Sequence, residues 1–386
     1  MNQTILIVDD ESLNRMVLAR SFSKLNYNTL EAEDGEQALR LLENSSVDII
    51  LLDIMMPDKD GYEVCAEIKK NPRTYEIPVI FITALSDRKS KIRGLETGAV
   101  DFIVKPFDLF EVRLRVQQHL RVRELYLEIK RANSHMKKEI VNARKLQNNL
   151  LPANYIKLNE SLEFKFEYYP CEDLGGDFLD IFKIDDEHFC FYNADVAGHG
   201  VSSSMITVFV KEFFHRLQYK EAIPVDDPAL LLGRLNNALL SLDFGGRSLT
   251  IFLGIINGVT GMINWSCAGA NNLPYIIGED YIKQLEENSV AVGWFEDFVW
   301  DNHKTLLNKG ELLFLYSDAA TEVRNPDKEE LGHDGLARIL QEADVLRETD
   351  LDSVVAELLN FGERVNFDDD LTLMILKRKK VSQISL

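Results

Sequence analysis

Acidic side chains end several apolar segments of this 386-residue sequence, and they form two groups along the chain. In the first group, Asp9 and Asp10 follow the segment ILIV, and Asp53 follows IILL. Carboxylates that converge repel one another unless a divalent cation lies between them. Mg²⁺ suits such a group, because it accepts a few carboxylates and keeps room for water and a phosphate oxygen. A carboxylate beside the ion could attack a phosphoryl donor and form an acyl phosphate.

A hydroxyl and an ammonium group end two further apolar segments. Thr83 follows VIFI, and Lys105 follows DFIV. Both groups could hold a newly bound phosphate. Acids at strand ends are often turn or helix-cap residues. That structural role could explain one of these positions, but it does not explain acids, a threonine and a lysine at the ends of four separate segments.

The second group of acids lies in the C-terminal half. Asp177 occurs in LGGDF, Asp195 in NADVAGHG, Asp318 in LYSDAATE, and Asp369 and Asp370 in FDDDLT. The glycines beside the first two let the backbone approach a ligand closely. Two Mg²⁺ or Mn²⁺ ions about 3.5–4 Å apart would stabilise such a cluster and activate a bridging water. That water could displace a serine or threonine alkoxide from phosphorus.

Two competing catalytic arrangements receive less support from the sequence. No GxSxG segment occurs, so a serine–histidine triad on a nucleophile elbow is not expected. His199 in AGHG is a lone loop histidine, for which a structural role or a substrate contact is favoured over metal ligation.

The elements that position the first group alternate between strands and helices. Strands rich in Ile, Leu and Val throughout are typical of a parallel sheet buried on both faces. The pattern therefore predicts a doubly wound, flavodoxin-like α/β domain over residues 1–121. Its strands are expected at 4–8, 29–31, 49–52, 79–82 and 102–104, and its helices at 12–24, 35–43, 60–70, 87–97 and 108–120.

Residues 108–150 contain neither Pro nor Gly and predict one long helix, which Pro152 would end. Apolar residues recur at intervals of three and four, with a break at Glu139. This heptad seam favours a parallel coiled coil over residues 122–150 and hence a homodimer, while packing of the helix on its own domain is the alternative. The seam comprises Val122, Leu125, Ile129, Ala132, Met136, Ala143, Leu146 and Leu150.

Short alternating strands follow Pro152, and helices occupy the insertions between them. This pattern predicts an α+β domain with packed antiparallel sheets over residues 151–380. Strands are expected at 162–168, 178–184, 189–193, 249–256, 262–267, 275–277, 312–316 and 371–376, and helices at 201–218, 229–241, 334–343 and 351–364.

The net charge of −20 argues against nucleic acid as a partner of the whole chain. The sequence lacks an apolar run of the ~20 residues that a membrane span needs. Its start, MNQTILIVDDES, turns acidic after one short apolar run, which is unlike a signal peptide. We therefore expect a cytoplasmic protein with no membrane partner. Its four cysteines are far apart and predict buried thiols.

The first 120 residues resemble the receiver domain of two-component response regulators. The segments LIVDDE, LLDIMMPDKDG, FITA and DFIVKPF match that family in order. The resemblance implies that Asp53 accepts the phosphoryl group from a sensor histidine kinase or a phosphotransfer protein. It implies a Mg²⁺ site formed by Asp9, Asp10, Asp53 and the backbone carbonyl of Met55.

The same resemblance assigns roles to three residues at the ends of the last two strands. Thr83 and Phe102 would form the conformational switch pair, and Lys105 would contact the phosphate. The new charge of about −1.5 to −2 would draw Thr83 and Lys105 inward.

Residues 140–378 resemble the protein phosphatase 2C superfamily, and in particular its bacterial branch with the stress-response phosphatase RsbU and the sporulation phosphatase SpoIIE. The matching segments are ARKLQNNLLP, GGDFLDIF, ADVAGHGVSSSM, CAGANNLPYII, ELLFLYSDAATE and DDLTLMIL. The resemblance implies an αββα sandwich and a serine/threonine phosphatase that uses two Mn²⁺ or Mg²⁺ ions. It also makes the ARKLQNNLLP helix a regulatory switch element.

The phosphatase resemblance implies a metal and catalytic set. Its metal ligands would be Asp195, the carbonyl of Val196, Asp318 and Asp369. Asp177 would belong to the same site and would orient metal-bound water. Of the adjacent acids, Asp369 is favoured over Asp370 as the ligand.

Two positions depart from the family pattern. Ala319 replaces the usual glycine after the aspartate of the SDA segment, and Ala270 replaces the usual histidine of the AGA segment. We expect a response regulator whose phosphorylation controls the phosphatase, with a phosphorylated anti-sigma-factor antagonist of bacterial partner-switching signalling as substrate. The alternative is a non-catalytic adaptor that binds a sigma factor or an anti-sigma partner. Loss of metal-binding acids would favour the adaptor, but this chain keeps all of them.

Overall fold

The computed structural model describes residues 3–84, 88–171, 174–198, 200–220, 223–242, 246–270, 272–287, 289–343 and 345–380. The chain divides into two compact units, Met1–Met136 and Lys137–Leu386. Within the described ranges, none of the helices is both long enough and apolar enough to cross a membrane.

The first unit contains a parallel five-stranded sheet with helices between successive strands. Its strands are β1 Thr4–Val8, β2 Asn28–Ala32, β3 Ile49–Asp53, β4 Val79–Thr83 and β5 Asp101–Val104, and its helices are α1 Ser12–Ser23, α2 Gly35–Asn44, α3 Gly61–Lys70 and α4 Arg88–Glu96. The strand order β2-β1-β3-β4-β5 is that of the flavodoxin-like fold. The predicted doubly wound domain is therefore confirmed. The central strands β3 and β4 are buried along their whole length, as their continuous apolar sequences require.

Helix α5, Leu109–Asn148, is the predicted long helix and contains 40 residues. It ends at Asn148 and not at residue 150, because the amides of Leu150 and Leu151 turn back to the carbonyls of Gln147 and Asn148. In the first unit, Nη1 of Arg123 donates to the carbonyl of Asp48 at 2.7 Å. Most of the predicted seam, including Ile129 and Met136, is exposed in the single chain.

The second unit is built from two antiparallel sheets. Its strands are β6 Tyr155–Lys157, β7 Leu162–Tyr169, β8 Asp177–Lys183, β9 His188–Val196, β10 Leu249–Asn257, β11 Met262–Ala268, β12 Tyr275–Ile277, β13 Ile282–Gln284, β14 His303–Leu306, β15 Leu312–Tyr316 and β16 Leu371–Arg378. The sheet orders are β14-β11-β10-β9-β8 and β13-β12-β15-β16-β7-β6. Side chains of both sheets, such as Phe191, Phe252 and Leu315, share one buried core between the layers.

Helices cover the outer faces of both sheets. They are α6 Val201–Lys220, α7 Pro228–Ser241, α8 Gly332–Glu342, α9 Val345–Glu348 and α10 Leu351–Gly362. Apolar residues of α6 and α7 pack on the first sheet, and those of α8 and α10 pack on the second. This arrangement confirms the predicted αββα sandwich. Strands β6, β13 and β14, at sheet edges, and the short helix α9 were not expected from the sequence.

Candidate functional sites

The predicted acids of the first unit meet at the carboxyl end of the parallel sheet. Asp9 and Asp53 are buried and Asp10 is exposed, and each offers a carboxylate oxygen within 4.8 Å of the others. Nζ of Lys105 lies 2.6 Å from Oδ2 of Asp53 and 2.9 Å from Oδ2 of Asp9. The ends of strands β1, β3 and β5 therefore bring the Lys105 ammonium group and three carboxylates together.

Burial raises the pKa of Asp53, although hydrogen bonds from Lys105 and from the amide of Met55 oppose the increase. Burial lowers the pKa of Lys105, but its bonds to Asp53 and Asp9 outweigh that effect and leave the pKa raised. Because the Lys105 ammonium is held by both acids, it neutralises part of the charge that a metal ion would otherwise have to balance. The chemistry of the donor set, three carboxylates at a sheet edge, fits a hard divalent cation.

The predicted switch residues lie next to this cluster. Thr83 is buried at the end of β4, and Phe102 is half-buried on β5. Together with side chains of α4 they line a cavity of only about 10 Å³. Both switch residues therefore border the same small cavity between β4, β5 and α4.

In the second unit, the predicted acids come from both sheets. Asp177 begins β8 directly opposite Asp195 of β9, and Asp318 opens a short 3₁₀ helix after β15. Asp369 stands just before β16. The hydroxyl of Thr372 donates to Oδ2 of Asp177 at 2.7 Å, which ties the two sheets together at this point.

Burial and then mutual repulsion raise the pKa values of the acids in this group. Burial raises the pKa of Asp195 to about 7, and the charges of Asp318 and Asp369 add to the increase. Burial, and then Asp195, place the pKa of Asp177 well above its usual range. The pKa of Asp318 is raised as well, by burial and then by Asp369. Because burial and repulsion disfavour the ionised carboxylates, added positive charge would stabilise them, and the group fits divalent cations.

The adjacent acids Asp369 and Asp370 have different surroundings. Asp370 is buried, and its two carboxylate oxygens accept from the amides of Cys171 at 2.9 Å and Gly176 at 2.6 Å. Asp369 is exposed at the edge of the acid group. The carboxylate of Asp370 thus holds the backbone before β8, whereas that of Asp369 lies where an ion could reach it.

Glycine is required at position 175 by a close approach. A Cβ atom there would lie 1.9 Å from Oη of Tyr168 and 2.5 Å from Oδ2 of Asp370. Any larger residue would therefore push apart the turn that precedes Asp177.

The cavity beside the acids is lined by Ala270, which the sequence singled out, and by residues that it did not. A cavity of about 120 Å³ contains Asp195 and Asp318 in its wall, together with Asn193, Thr250, Ile251, Phe252, Gly269, Ala270, Asn272, Tyr316, Ser317 and Glu322. Glu322 contributes to the raised pKa of both acids. The backbone amide of Glu322 donates to the carbonyl of Asp318 at 2.9 Å, so one helical turn separates the two acids. The spacing of four residues in the sequence could have indicated that Glu322 lies beside Asp318.

The C-terminal end of α5 contacts the turn before β8. Gln147 is 5% exposed, and its Nε2 donates to the carbonyl of Gly175 at 2.9 Å and to Oγ1 of Thr207 in α6 at 3.1 Å. Gln147 lies inside the ARKLQNNLLP segment, but the sequence did not distinguish it from its neighbours. His199 lies outside the described residues.

Comparison with known proteins identifies both regions. Residues 185–379, about half of the chain, match the family model described as stage II sporulation protein E (SpoIIE). The chain therefore belongs to the SpoIIE family. Residues 5–117 match the response regulator receiver domain, so the predicted combination of a receiver with a phosphatase 2C-type, SpoIIE-like domain is confirmed.

Relatives of the receiver region cover only a part of the chain. A probable transcriptional regulator, ycf27, of Guillardia theta is 44% identical over 119 residues, which are 31% of this chain and 46% of the relative. The response regulator PleD of Caulobacter vibrioides is 41% identical over 130 residues, which are 34% of this chain and 29% of PleD. The chain thus spans less than half the length of these curated relatives.

A solved structure resembles the second unit in fold. The SiaA-PP2C domain of Pseudomonas aeruginosa aligns with a TM-score of 0.54 at 18% identity, covering 64% of this chain and 99% of that domain. At this level of identity the similarity establishes a common fold.

Proposed function

We propose that this chain is a response regulator whose phosphorylation at Asp53 controls a metal-dependent serine/threonine protein phosphatase. The observation that carries the proposal is the convergence of Asp177 of β8, Asp195 of β9 and Asp318 of the 3₁₀ helix after β15. Burial and then mutual repulsion raise the pKa values of all three. Such a group is unfavourable by itself and becomes favourable when cations occupy it.

In the phosphatase, Asp195, the carbonyl of Val196, Asp318 and Asp369 would hold two Mn²⁺ or Mg²⁺ ions. Bound there, the ions would supply an activated water for attack on a phosphate ester. Asp177, fixed by the Thr372 hydroxyl at 2.7 Å, is suited to orient that water. The carboxylate of Asp370 keeps the preceding turn in place.

In the receiver, Asp9, Asp10, Asp53 and the Met55 carbonyl would hold Mg²⁺, which would support phosphoryl transfer to Asp53 from a histidine kinase or phosphotransfer protein. Phosphorylation would convert the Asp53 carboxylate that Lys105 now contacts into an acyl phosphate, and the Lys105 ammonium, still beside Asp9, could donate to the new phosphate oxygens. Thr83 and Phe102, which line one small cavity, would act as the switch pair that responds to the new phosphate.

Control of the second site would run through α5, which begins in the first unit and ends in the second. Its last residues contact the phosphatase through Gln147 and the carbonyl of Gly175. The next residue, Gly176, donates its amide to Asp370, so a movement of α5 would reach the acid group through two hydrogen bonds. We propose that residues 122–150 act as the regulatory linker.

We also propose that the exposed seam of α5 forms a parallel dimer. Leu125 is 42% exposed and Ile129 is 61% exposed in the single chain, and burial against a second helix would remove both from water. Sedimentation velocity should give a dimer for the unaltered chain and a monomer for Leu125→Glu/Ile129→Glu. A monomeric unaltered chain at micromolar concentration would remove the dimer from the proposal.

The substrate class that we propose is a phosphorylated anti-sigma-factor antagonist. The second candidate function, a non-catalytic adaptor for a sigma factor or anti-sigma partner, takes its support from Ala270, which lines the acid cavity, and Ala319. Both replace residues that are usual in the family.

Metal-dependent hydrolysis separates the two functions. With Mn²⁺, the unaltered chain should release phosphate from 4-nitrophenyl phosphate and from a phosphoserine protein. Asp195→Ala and Asp318→Ala should lower both rates by at least about 100-fold, because each removes a metal ligand. Asp186→Ala is the matched control, since that side chain is 99% exposed in the same unit. Activity that is absent with metal, or unchanged in both ligand variants, would favour the adaptor.

A further inference from the structure

Two large aromatic side chains are exposed next to each other after strand β13. Trp294 is 60% exposed and Phe295 is 57% exposed. Aromatic residues are enriched at the centres of protein interfaces and dominate their binding energy. The catalytic chemistry described above uses neither side chain.

A buried asparagine fixes the backbone on both sides of Trp294. Asn236 of α7 is 1% exposed; its Oδ1 accepts from the amide of Gly293 at 2.8 Å, and its Nδ2 donates to the carbonyl of Phe295 at 2.9 Å. Below them, Nε1 of Trp300 donates to the carbonyl of Val290 at 2.9 Å. The exposed pair is therefore presented by an ordered backbone, which lowers the entropic cost of binding a partner.

The same segment adjoins the acid cavity. Val292 and Leu249 exchange two backbone hydrogen bonds of 3.0 Å, and Leu249 lies opposite Val196, the neighbour of Asp195. Two strand spacings, about 10 Å, thus separate the backbone of Val292, two residues before Trp294, from the metal-binding strand. Gly269 of the cavity wall has no room for a Cβ because Ala291 would lie 2.7 Å from it.

We propose that Trp294 and Phe295 form the docking element for the phosphorylated protein substrate, an inference that rests on the proposed phosphatase function. Its occupant is a phosphoprotein that presents an apolar patch to Trp294 and Phe295 while its phosphorylated residue lies in the neighbouring acid cavity. Three exposed acids, Glu296, Asp297 and Asp301, follow the pair in sequence, and residues 293–301 contain no basic residue. The element therefore favours a patch bordered by lysine or arginine and disfavours an anionic lipid surface.

Steady-state kinetics with Mn²⁺ test the proposal on the full chain. The substrates are 4-nitrophenyl phosphate and the phosphorylated antagonist protein that the unaltered chain hydrolyses fastest in a panel. Trp294→Ala should raise KM for the phosphoprotein by about tenfold or more and leave its kcat unchanged. Turnover of the aryl phosphate, which is too small to reach the docking element, should be unaffected.

The matched control is Val259→Ala. Val259 is 64% exposed, but it lies in the turn after Asn257, at the opposite end of β10 from Leu249. The proposal predicts no change for either substrate in this variant. Unchanged phosphoprotein kinetics in Trp294→Ala would overturn the docking role, and so would an equal loss with both substrates. Absence of turnover of both substrates by the unaltered chain would contradict the proposed function itself.

Tryptophan fluorescence gives a second readout that does not depend on turnover. Of the three tryptophans, Trp265 and Trp300 are each 3% exposed, so Trp294 should account for most quenching by acrylamide. The unphosphorylated antagonist should protect Trp294 from the quencher in the Asp318→Ala chain. Protection that depends on the chain's own concentration, or that anionic phospholipid vesicles produce, would assign the surface to a second copy or to a membrane and overturn the proposal.

Discussion

Replacing Gln147 by Met tests the connection between α5 and the acid group. Methionine has a similar length and no amide, so the variant removes the donors to the Gly175 carbonyl and to Thr207 while it keeps the packing. Each neutral hydrogen bond contributes about 0.5–1.5 kcal/mol, and a buried carbonyl left without a donor costs about 1–3 kcal/mol. Because Gln147 is 5% exposed, water cannot easily replace it. We expect the free energy of unfolding of the second unit to fall by about 2–3 kcal/mol.

The same substitution should weaken metal binding. The Gly175 carbonyl belongs to the turn that Asp370 holds through Gly176, so loss of its donor should loosen the ligand set. Residues that support metal ligands typically affect metal affinity by 10–100-fold, and we expect about tenfold for this more remote contact. Mn²⁺ titrations followed by thermal unfolding measure the affinity without requiring turnover.

Gln218→Met is the matched control for this prediction. Its amide also donates to a backbone carbonyl of the second unit, that of Lys183 at 2.8 Å, but at the protein surface. We expect its unfolding free energy to change by less than about 0.5 kcal/mol. A Gln147→Met chain that loses stability but binds Mn²⁺ as the unaltered chain does would refute the connection and leave Gln147 a structural residue.

Three further predictions concern the acid group. Asp369→Asn should weaken Mn²⁺ binding with little loss of metal-free stability. Asp370→Asn should destabilise the metal-free unit, because the Gly176 amide loses a charged acceptor. Chemical denaturation with and without Mn²⁺ separates the two effects, and the reverse pattern would exchange the roles of the two acids. In EDTA, the folded state should bind the Asp195 proton more tightly than the unfolded state does. The stability due to that group is therefore present at low pH and lost as the pH rises from about 4 to about 7. The unfolding midpoint of the unaltered chain should fall over this interval relative to that of Asp195→Asn, and an identical pH dependence in the two chains would contradict the raised pKa of Asp195. Glu322→Gln should lower the pKa of Asp195, because it removes a negative charge that raises this pKa. The number of protons released on Mn²⁺ binding measures the change. An unchanged proton release would place Glu322 outside the cluster.

The fold was predictable where strands are long and apolar. The buried run of β3 and the alternating pattern of β7 each carry a clear signal. Strands β6, β13 and β14 have three or four residues each and are only partly buried, so they lack a periodic pattern. Their pairing depends on neighbours that are distant in sequence, which local propensity cannot supply.

The candidate site was predictable to the extent that its residues are acidic and close to strand ends. The motifs pointed to Asp177, Asp195 and Asp318, which the structure brings together. The sequence motifs did not point to Gln147 or Asn236. Each of these side chains acts by binding backbone carbonyl or amide groups that only the folded chain places opposite it. The preference for Asp369 over Asp370 came from the family resemblance, and the burial of Asp370 under two backbone amides now gives a physical argument for it.

The central claim is that phosphorylation of Asp53 controls hydrolysis at the second site. The most direct measurement is the Mn²⁺-dependent rate of phosphoprotein hydrolysis with and without acetyl phosphate, in the unaltered chain and in Asp53→Ala. We predict that acetyl phosphate changes the rate of the unaltered chain and leaves that of Asp53→Ala unchanged. An equal rate with and without acetyl phosphate in a chain shown to be phosphorylated, or a change that persists in Asp53→Ala, would contradict the claim.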